Sequence, residues 1–225
     1  MPNRGAKDCP VQRGMPRLLG GTALDHPDGE DAMTSAGGAV AGPKGGISTV
    51  GIVVMSLDGC LTHHQEEGVG FASEADRAYF DEVLDTFDCT LFGAGTFEVR
   101  RAAILGTLSR RRLRVVWTRT PSRYLDLERA EMLEFRSGKV EGILADLAAR
   151  GRRRCAILGG TALFTACLQS GLMPELWVTI EPVVFGSGRR MFSDCLDASF
   201  RFQRLRRLSE DTLLLEYRLR GEAGQ

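Results

Sequence analysis

The sequence has few histidines, no closely spaced cysteine pair and no long apolar run, and each shortage closes off a class of function. Three histidines (His26, His63, His64) stand among 225 residues, and none has the spacing of a metal-ligand set. The adjacent pair His63-His64 reads as a solvated loop. Six cysteines (Cys9, Cys60, Cys89, Cys155, Cys167, Cys195) make no C-x-x-C motif. Several sit in apolar runs, such as Cys89-Thr-Leu-Phe92 and Cys155-Ala-Ile-Leu158. They read as buried free thiols of a reducing compartment. No apolar stretch reaches the ~18–20 residues of a membrane helix, and no signal-peptide core follows Met1, so a cytoplasmic protein without a membrane partner is expected. Lys+Arg and Asp+Glu both total 29, giving a formal net charge of zero. A neutral chain has no field to recruit a polyanion, so nucleic acid is not an expected partner. The arginine clusters at 110–112, 152–154 and 204–207 read as solvated surface. No Ser-His-Asp or Cys-His spacing supports covalent catalysis.

What is present divides into a tail and one domain. Residues 1–46 hold five of the eight prolines and almost no apolar periodicity. Such a segment cannot bury enough surface to offset its ordering entropy, and disorder is expected there. From residue 47 to 220 the pattern is that of an α/β domain. Val50–Leu57 is a near-continuous apolar run, as in a strand buried on both faces. Ser73 opens a helix, with Glu74 and Asp76 in its first turn, where the macrodipole favours anions. Further strands are expected at Cys89–Phe92, Leu113–Thr118, Met132–Phe135 and Cys155–Leu158. Helices are expected after Gly93-Ala-Gly-Thr96, around Ile143–Ala148 up to Gly151, and after Gly159-Gly160. Leu176–Phe185 reads as one long strand interrupted by Pro182. Phe200–Leu208 and Thr212–Leu219 read as an antiparallel hairpin. The sum is a mixed sheet with helices on both faces.

Three glycine corners end strands: Gly93-Ala-Gly95-Thr96, Gly159-Gly160-Thr161 and Gly186-Ser187-Gly188. Where a helix follows, its first backbone N–H groups can face a phosphate. Each corner is equally readable as a turn that needs glycine for steric reasons. None matches G-x-G-x-x-G, so an ordinary dinucleotide fingerprint is not supported. The exit Thr118-Arg119-Thr120 offers a guanidinium and hydroxyls, suited to a further phosphate or to solvent.

Taken in order, these segments resemble the reductase domain of bifunctional riboflavin-biosynthesis deaminase/reductases, within the dihydrofolate-reductase-like superfamily. The resemblance rests on Met55-Ser-Leu-Asp-Gly59, Ser73-Glu-Ala-Asp-Arg77, Leu91-Phe-Gly-Ala-Gly-Thr96, Leu158-Gly-Gly-Thr161, Gly171-Leu-Met-Pro-Glu-Leu176 and Pro182-Val-Val-Phe-Gly-Ser-Gly188. It implies a dihydrofolate-reductase-like fold, NADPH as hydride donor and a homodimer. It places Gly93, Gly95, Thr96, Thr118, Arg119, Gly159, Gly160, Thr161, Ala162 and Leu163 at the cofactor. Ser73 and Arg77 fall on the substrate side. Asp58 is placed at the substrate or nicotinamide, although Asp-Gly is also a turn signal by itself. A stand-alone reductase without the deaminase domain is expected, since His64-Gln-Glu66 has H-x-E spacing but no P-C-x-x-C follows.

Two departures concern the substrate side. Riboflavin-pathway members commonly carry an Asp-Pro segment after G-x-G-T, where this chain has Phe97-Glu-Val-Arg-Arg101. Many carry an acidic residue before the paired glycines, where this chain has Leu158. The expected chemistry is hydride transfer to a carbon–nitrogen double bond, in which the protein mainly aligns reactants. Asp58, Glu181 or a water is the candidate proton source, with Glu181 facing the cleft or solvent. Three readings stand: reduction of a phosphoribosylamino-pyrimidine in riboflavin biosynthesis, reduction of another heterocycle or carbonyl, and nucleotide binding without catalysis.

Overall fold

The computed structural model describes residues 46–193 and 195–220. The tail expected to be disordered lies outside the described residues, apart from Gly46. One eight-stranded sheet organises the chain. It comprises β1 (Ser48–Ser56), β2 (Cys89–Gly93), β3 (Leu113–Trp117), β4 (Leu133–Arg136), β5 (Arg154–Ile157), β6 (Glu175–Glu181), β7 (Phe200–Arg207) and β8 (Leu213–Leu219). The order across the sheet is β4-β3-β2-β5-β1-β6-β8-β7. The first six strands in that order run parallel, and the β7–β8 hairpin adds antiparallel to β6. The helices are α1 (Glu74–Leu84), α2 (Ala94–Gly106), α3 (Val140–Ala149) and α4 (Thr161–Gln169). The mixed sheet and terminal hairpin expected from the sequence are both present.

The apolar run of β1 has its reason in this order. β1 pairs with β5 on one side and β6 on the other, so Val50, Ile52 and Val54 are buried with no solvent face to alternate toward. On one side of the sheet, α3 and α4 bury Ile143, Leu144, Leu147, Leu163, Phe164 and Cys167 against Leu91, Val115 and Ile157. Elsewhere, Leu84 and Phe87 close over Val50 and Ile52, and Phe97 packs with Phe92, Val116 and Phe135. Cys60, Cys89, Cys155 and Cys167 are buried thiols, as the sequence implied.

Two expectations need correction. The strand predicted over Leu176–Phe185 ends at Glu181, because Pro182 has no N–H to continue the ladder. The Val183 amide instead turns back to the Glu181 carbonyl at 2.8 Å, and the Val183 carbonyl accepts from Leu57. The polar exit after β3 is not simply a loop, since Pro121–Leu127 winds into a 3-10 helix with Tyr124 buried. The expected stop at Gly151 is present, with φ +84°, a conformation that costs glycine little.

Gly159, where β5 leaves the sheet, is demanded by packing as well as by backbone. Its φ is +92°, and a Cβ there would lie 2.7 Å from Cε2 of Phe164. The Phe164 ring is buried and cannot retreat. Gly159→Ala is therefore expected to destabilise the fold by about 2–4 kcal/mol, combining left-handed strain with overpacking. Denaturant unfolding checks this, and an unchanged midpoint would show that the turn relaxes freely.

Candidate active site

Parallel strands deliver their carboxyl ends to one edge of the sheet, where crevices form in open α/β architectures. Along that edge stand Trp117 of β3, Gly93 of β2, Ile157 of β5, Ser56 of β1 and Glu181 of β6. The two glycine corners meet there. The Gly93 amide donates to the Gly159 carbonyl at 2.7 Å, and a Cβ on Gly93 would lie 3.6 Å from the Gly160 nitrogen. A Cβ on Gly160 would in turn lie 3.6 Å from Oγ1 of Thr96.

Gly93 is the N-cap of α2 and Gly160 the N-cap of α4, and neither helix has a side-chain cap. The first amides of a helix have no partner within it, so two sets of donors open side by side. A Cβ on Gly95 would meet nothing within 4 Å. Internal packing therefore gives no reason for glycine there, whereas close approach of a ligand does. Thr161 and Leu163 are less available than the motif implies. The Thr161 hydroxyl donates to the Arg190 carbonyl at 2.7 Å, and the Leu163 side chain is core. Ala162, by contrast, is exposed.

One strand further out, Thr118 is buried and its hydroxyl accepts from the Thr120 amide at 3.3 Å, shaping the exit of β3. Arg119 is exposed, and among the described residues its guanidinium has no hydrogen-bond or ion-pair partner. The row Thr118-Arg119, Gly93–Thr96 and Gly159–Ala162 thus offers a free cation and open amides across three adjacent strands.

At the other end of the row the sequence-predicted acids have very different settings. Asp58 is committed to loop structure. Its Oδ1 accepts from the Ser56 hydroxyl at 2.5 Å and from the Phe185 amide, and its Oδ2 accepts from the Gly186 amide at 2.7 Å. The Ser56 hydroxyl has the largest effect and lowers its pKa; burial opposes it, the Gly186 and Phe185 amides add to the lowering, and the outcome is about 2. A carboxylate held so firmly ionised is a poor proton donor near neutrality. It fastens the loop after β1 to the loop after β6. The same two loops are joined by the Leu61 amide on the Arg189 carbonyl (2.8 Å) and by His64 Nδ1 with the Ser187 hydroxyl (2.7 Å). The His63-His64 pair is therefore part of a strap between two loops. Arg77 is exposed and donates to the Gly70 carbonyl at 3.1 Å, holding the far end of the strap to α1.

Glu181 is 2% exposed and faces inward. Its Oε1 accepts from the Ser73 amide at 2.8 Å and its Oε2 from the Thr212 hydroxyl at 3.1 Å. Ser73 caps α1 through its hydroxyl, which accepts from the Asp76 amide at 3.1 Å. In the sequence Asp76 is a first-turn anion within Ser73-Glu-Ala-Asp-Arg77, with no role of its own assigned. It is 7% exposed, and burial raises its pKa, a tendency opposed by the Thr179 hydroxyl and reinforced by the like charge of Glu181. The signal that marks it is the Ser73-x-x-Asp76 spacing of a capping box. In that arrangement the acid reaches back to the N-cap amide. Here Glu181 takes that amide, and the Asp76 carboxylate turns toward Thr179 instead.

The Asp58 strap carries a pH dependence of definite sign. A carboxylate whose pKa is lowered on folding contributes stability that is complete above its unfolded value near 3.8 and is lost as pH falls toward about 2. Amide exchange at Gly186 is expected to accelerate through that window. Asp58→Asn should exchange fast throughout, and a wild-type amide indifferent to this acidification would remove Asp58 from the strap.

Comparisons with known proteins agree with this architecture. The sequence matches the family described as the RibD C-terminal domain over residues 52–214. No curated protein matches the chain. A diaminohydroxyphosphoribosylaminopyrimidine deaminase/5-amino-6-(5-phosphoribosylamino)uracil reductase from Thermotoga maritima is similar in structure, with TM-score 0.64 and 20% identity, over 78% of this chain and 57% of that one. The chain thus spans little more than half of that bifunctional protein. The riboflavin biosynthesis reductase Rib7 of Saccharomyces cerevisiae has TM-score 0.60 and 13% identity, covering 80% and 93% of the two chains. Dihydrofolate reductase from Enterococcus faecalis, complexed with NADP(H), has TM-score 0.54 and 18% identity, over 77% and 97%. With a dihydrofolate-reductase-like fold and a family match running from within β1 into β8, the chain belongs to the RibD C-terminal domain family.

Proposed function

We propose that the chain is an NADPH-dependent reductase whose substrate is a phosphoribosylamino-pyrimidine, the ribosyl group being reduced to a ribityl group. The observation that carries this reading is the contact of two helix starts without side-chain caps, Gly93–Gly95 and Gly160–Ala162, one strand from Arg119, which has no partner among the described residues. Open amides at two adjacent corners suit a pyrophosphate, and a planar guanidinium one strand away suits a 2′-phosphate. The cofactor so held would supply a hydride. This chain's part is to hold it along the strand ends, exclude water under the 57–72 strap and present a proton. The NADP(H) of the dihydrofolate reductase and the substrate named for the Thermotoga reductase support the reading.

A second reading, reduction of another heterocycle, is favoured by the substrate side. Leu158 packs against the core cluster of Val50, Ile52, Leu84, Phe87 and Ala156, so an apolar side chain stands where many riboflavin-pathway members carry an acid. Arg100 and Arg101 lie within α2, in the segment where an Asp-Pro is common, and Arg101 is engaged with Glu98 and the Phe97 ring.

A homodimer belongs to the same proposal. β7 lies at the sheet edge expected for the hairpin, but Arg201, Arg204 and Arg206 guard it against strand addition. Beside the edge, Leu205, Leu215 and Val178 form one cross-strand apolar row, and Phe202 and Tyr217 belong to the next. Phe202 and Leu205 are each 53% exposed. A second copy meeting this face would bury the exposed Phe202 and Leu205.

The cofactor assignment is tested by titrating NADPH and NADH, with Arg119→Ala as the probe. Its loss should weaken NADPH by about 1.5–3 kcal/mol, roughly 10- to 150-fold, and leave NADH nearly unchanged. Equal loss for both nucleotides would move the 2′-phosphate elsewhere. Oxidation of NADPH by 5-amino-6-(5-phosphoribosylamino)uracil separates the riboflavin reading from the second one.

A further inference from the structure

At the amino end of β3, on the edge of the sheet away from the crevice, stands a buried cation without an acid. Arg114 is 7% exposed. Its Nη2 donates to the Thr107 carbonyl at 2.7 Å and to the Thr107 hydroxyl at 3.3 Å, which caps the end of α2. That cap uses one nitrogen. Nη1 is buried and has no hydrogen-bond partner among the described residues. Burial and then the like charge of Arg112 lower the pKa of Arg114, yet a guanidinium keeps its proton inside a protein. Arg112 Nε is also buried and without a partner among the described residues, while its Nη1 meets Asp85 at 3.2 Å. Asp85 is exposed and serves Arg112. Asp88, the other acid at this edge, turns Oδ2 to the Arg153 and Arg154 amides at 2.5 and 2.8 Å.

A hydroxyl faces the same place. Thr90 of β2 is the register partner of Arg114, and strand alternation puts both side chains on the sheet face that carries Phe92 and Val116. Thr90 is 2% exposed, and its Oγ1 has no hydrogen-bond partner among the described residues. The next strands on either side present Leu133 and Ala156, both buried and apolar. Three unsatisfied polar groups, two of them on cations, therefore converge in an apolar setting. A buried polar group without a partner is costly, and a buried charge without a counter-charge more so. A water would accept the N–H groups and leave the charge; an anion answers both. We propose that Arg112, Arg114 and Thr90 hold a small inorganic anion of the halide class, such as chloride, between the ends of α1 and α2. The guanidinium N–H groups donate to it, and the Thr90 hydroxyl turns its hydrogen the same way. The Arg112 side chain is only 16% exposed, so the site has no open mouth for an organic acid. The anion neutralises the cap of α2 and stabilises the fold, independently of what the crevice binds.

The test has two arms on the full chain. In the first, thermal unfolding is followed while sodium gluconate is exchanged for sodium chloride at constant ionic strength, which separates binding from screening. Tm should rise with chloride, by roughly 3–6 °C at tenfold excess over half-saturation. Arg114→Met should abolish the response, since the buried charge is gone. Thr90→Val keeps the shape of the side chain and removes one donor, so it should need about tenfold more chloride for the same shift. This variant carries the test if Arg114→Met does not fold. In the second arm, crystals are grown in sodium bromide and measured at the bromine absorption edge. An anomalous peak is expected within hydrogen-bonding distance of Arg114 Nη1 and Thr90 Oγ1. A water at that place in place of bromide overturns the proposal. So does a chloride response that persists unchanged in both variants, which would put the ion elsewhere. A bromide peak with no chloride response of Tm shows an adventitious ion only and also overturns it.

Discussion

One backbone hydrogen bond, from the Gly93 amide to the Gly159 carbonyl, holds together everything the site requires. It closes two strand ends to the distance at which two helices can begin side by side. A Cβ on Gly93 would make only ordinary contact with the Gly160 nitrogen, so the backbone bond, and not steric exclusion, defines the pairing of the two corners. The bond also fixes the relation between β2 and β5 beyond the last ladder pair. From it follow the shared mouth of α2 and α4, the packing of Phe164 beneath Gly159, and the seat of the loop that the Thr161 hydroxyl ties down through Arg190.

Two kinds of residue share the carboxyl edge and are easily confused. Asp58 and Thr161 carry the residue types expected to touch a ligand, yet their polar atoms are spent on loops. Arg119 and Gly95 make no internal use of their character. Asp76 and Glu181 stand between these extremes, since their partners are internal but leave a net charge to be reconciled inside the protein. Hydrogen-bond accounting therefore divides the motif into residues that build the crevice and residues that face what enters it.

Much of this was legible in the sequence because local pattern and tertiary position agree. The apolar run of β1, the hairpin and the glycine corners reflect requirements visible within ten residues. The length of β6 was misjudged because an apolar stretch beyond Pro182 looks the same whether it pairs or turns back. The 3-10 helix at Pro121 was hidden by its polar composition, with Tyr124 its buried anchor. Asp76 escaped because its role depends on a residue more than a hundred positions away: only when Glu181 takes the Ser73 amide does the helix-start acid turn inward. No window along the chain contains that fact.

The parallel order of strand ends has a metrical consequence. Adjacent strands lie ~4.8 Å apart, so the four intervals from β3 through β2, β5 and β1 to β6 set roughly 19 Å between Arg119 and Glu181. The sheet acts as a ruler. A compact ligand would engage one or two divisions, whereas an extended one reads the whole scale and gains from tethering each part to the next. Selection by length is thereby built into strand count, before any side chain at the edge is consulted.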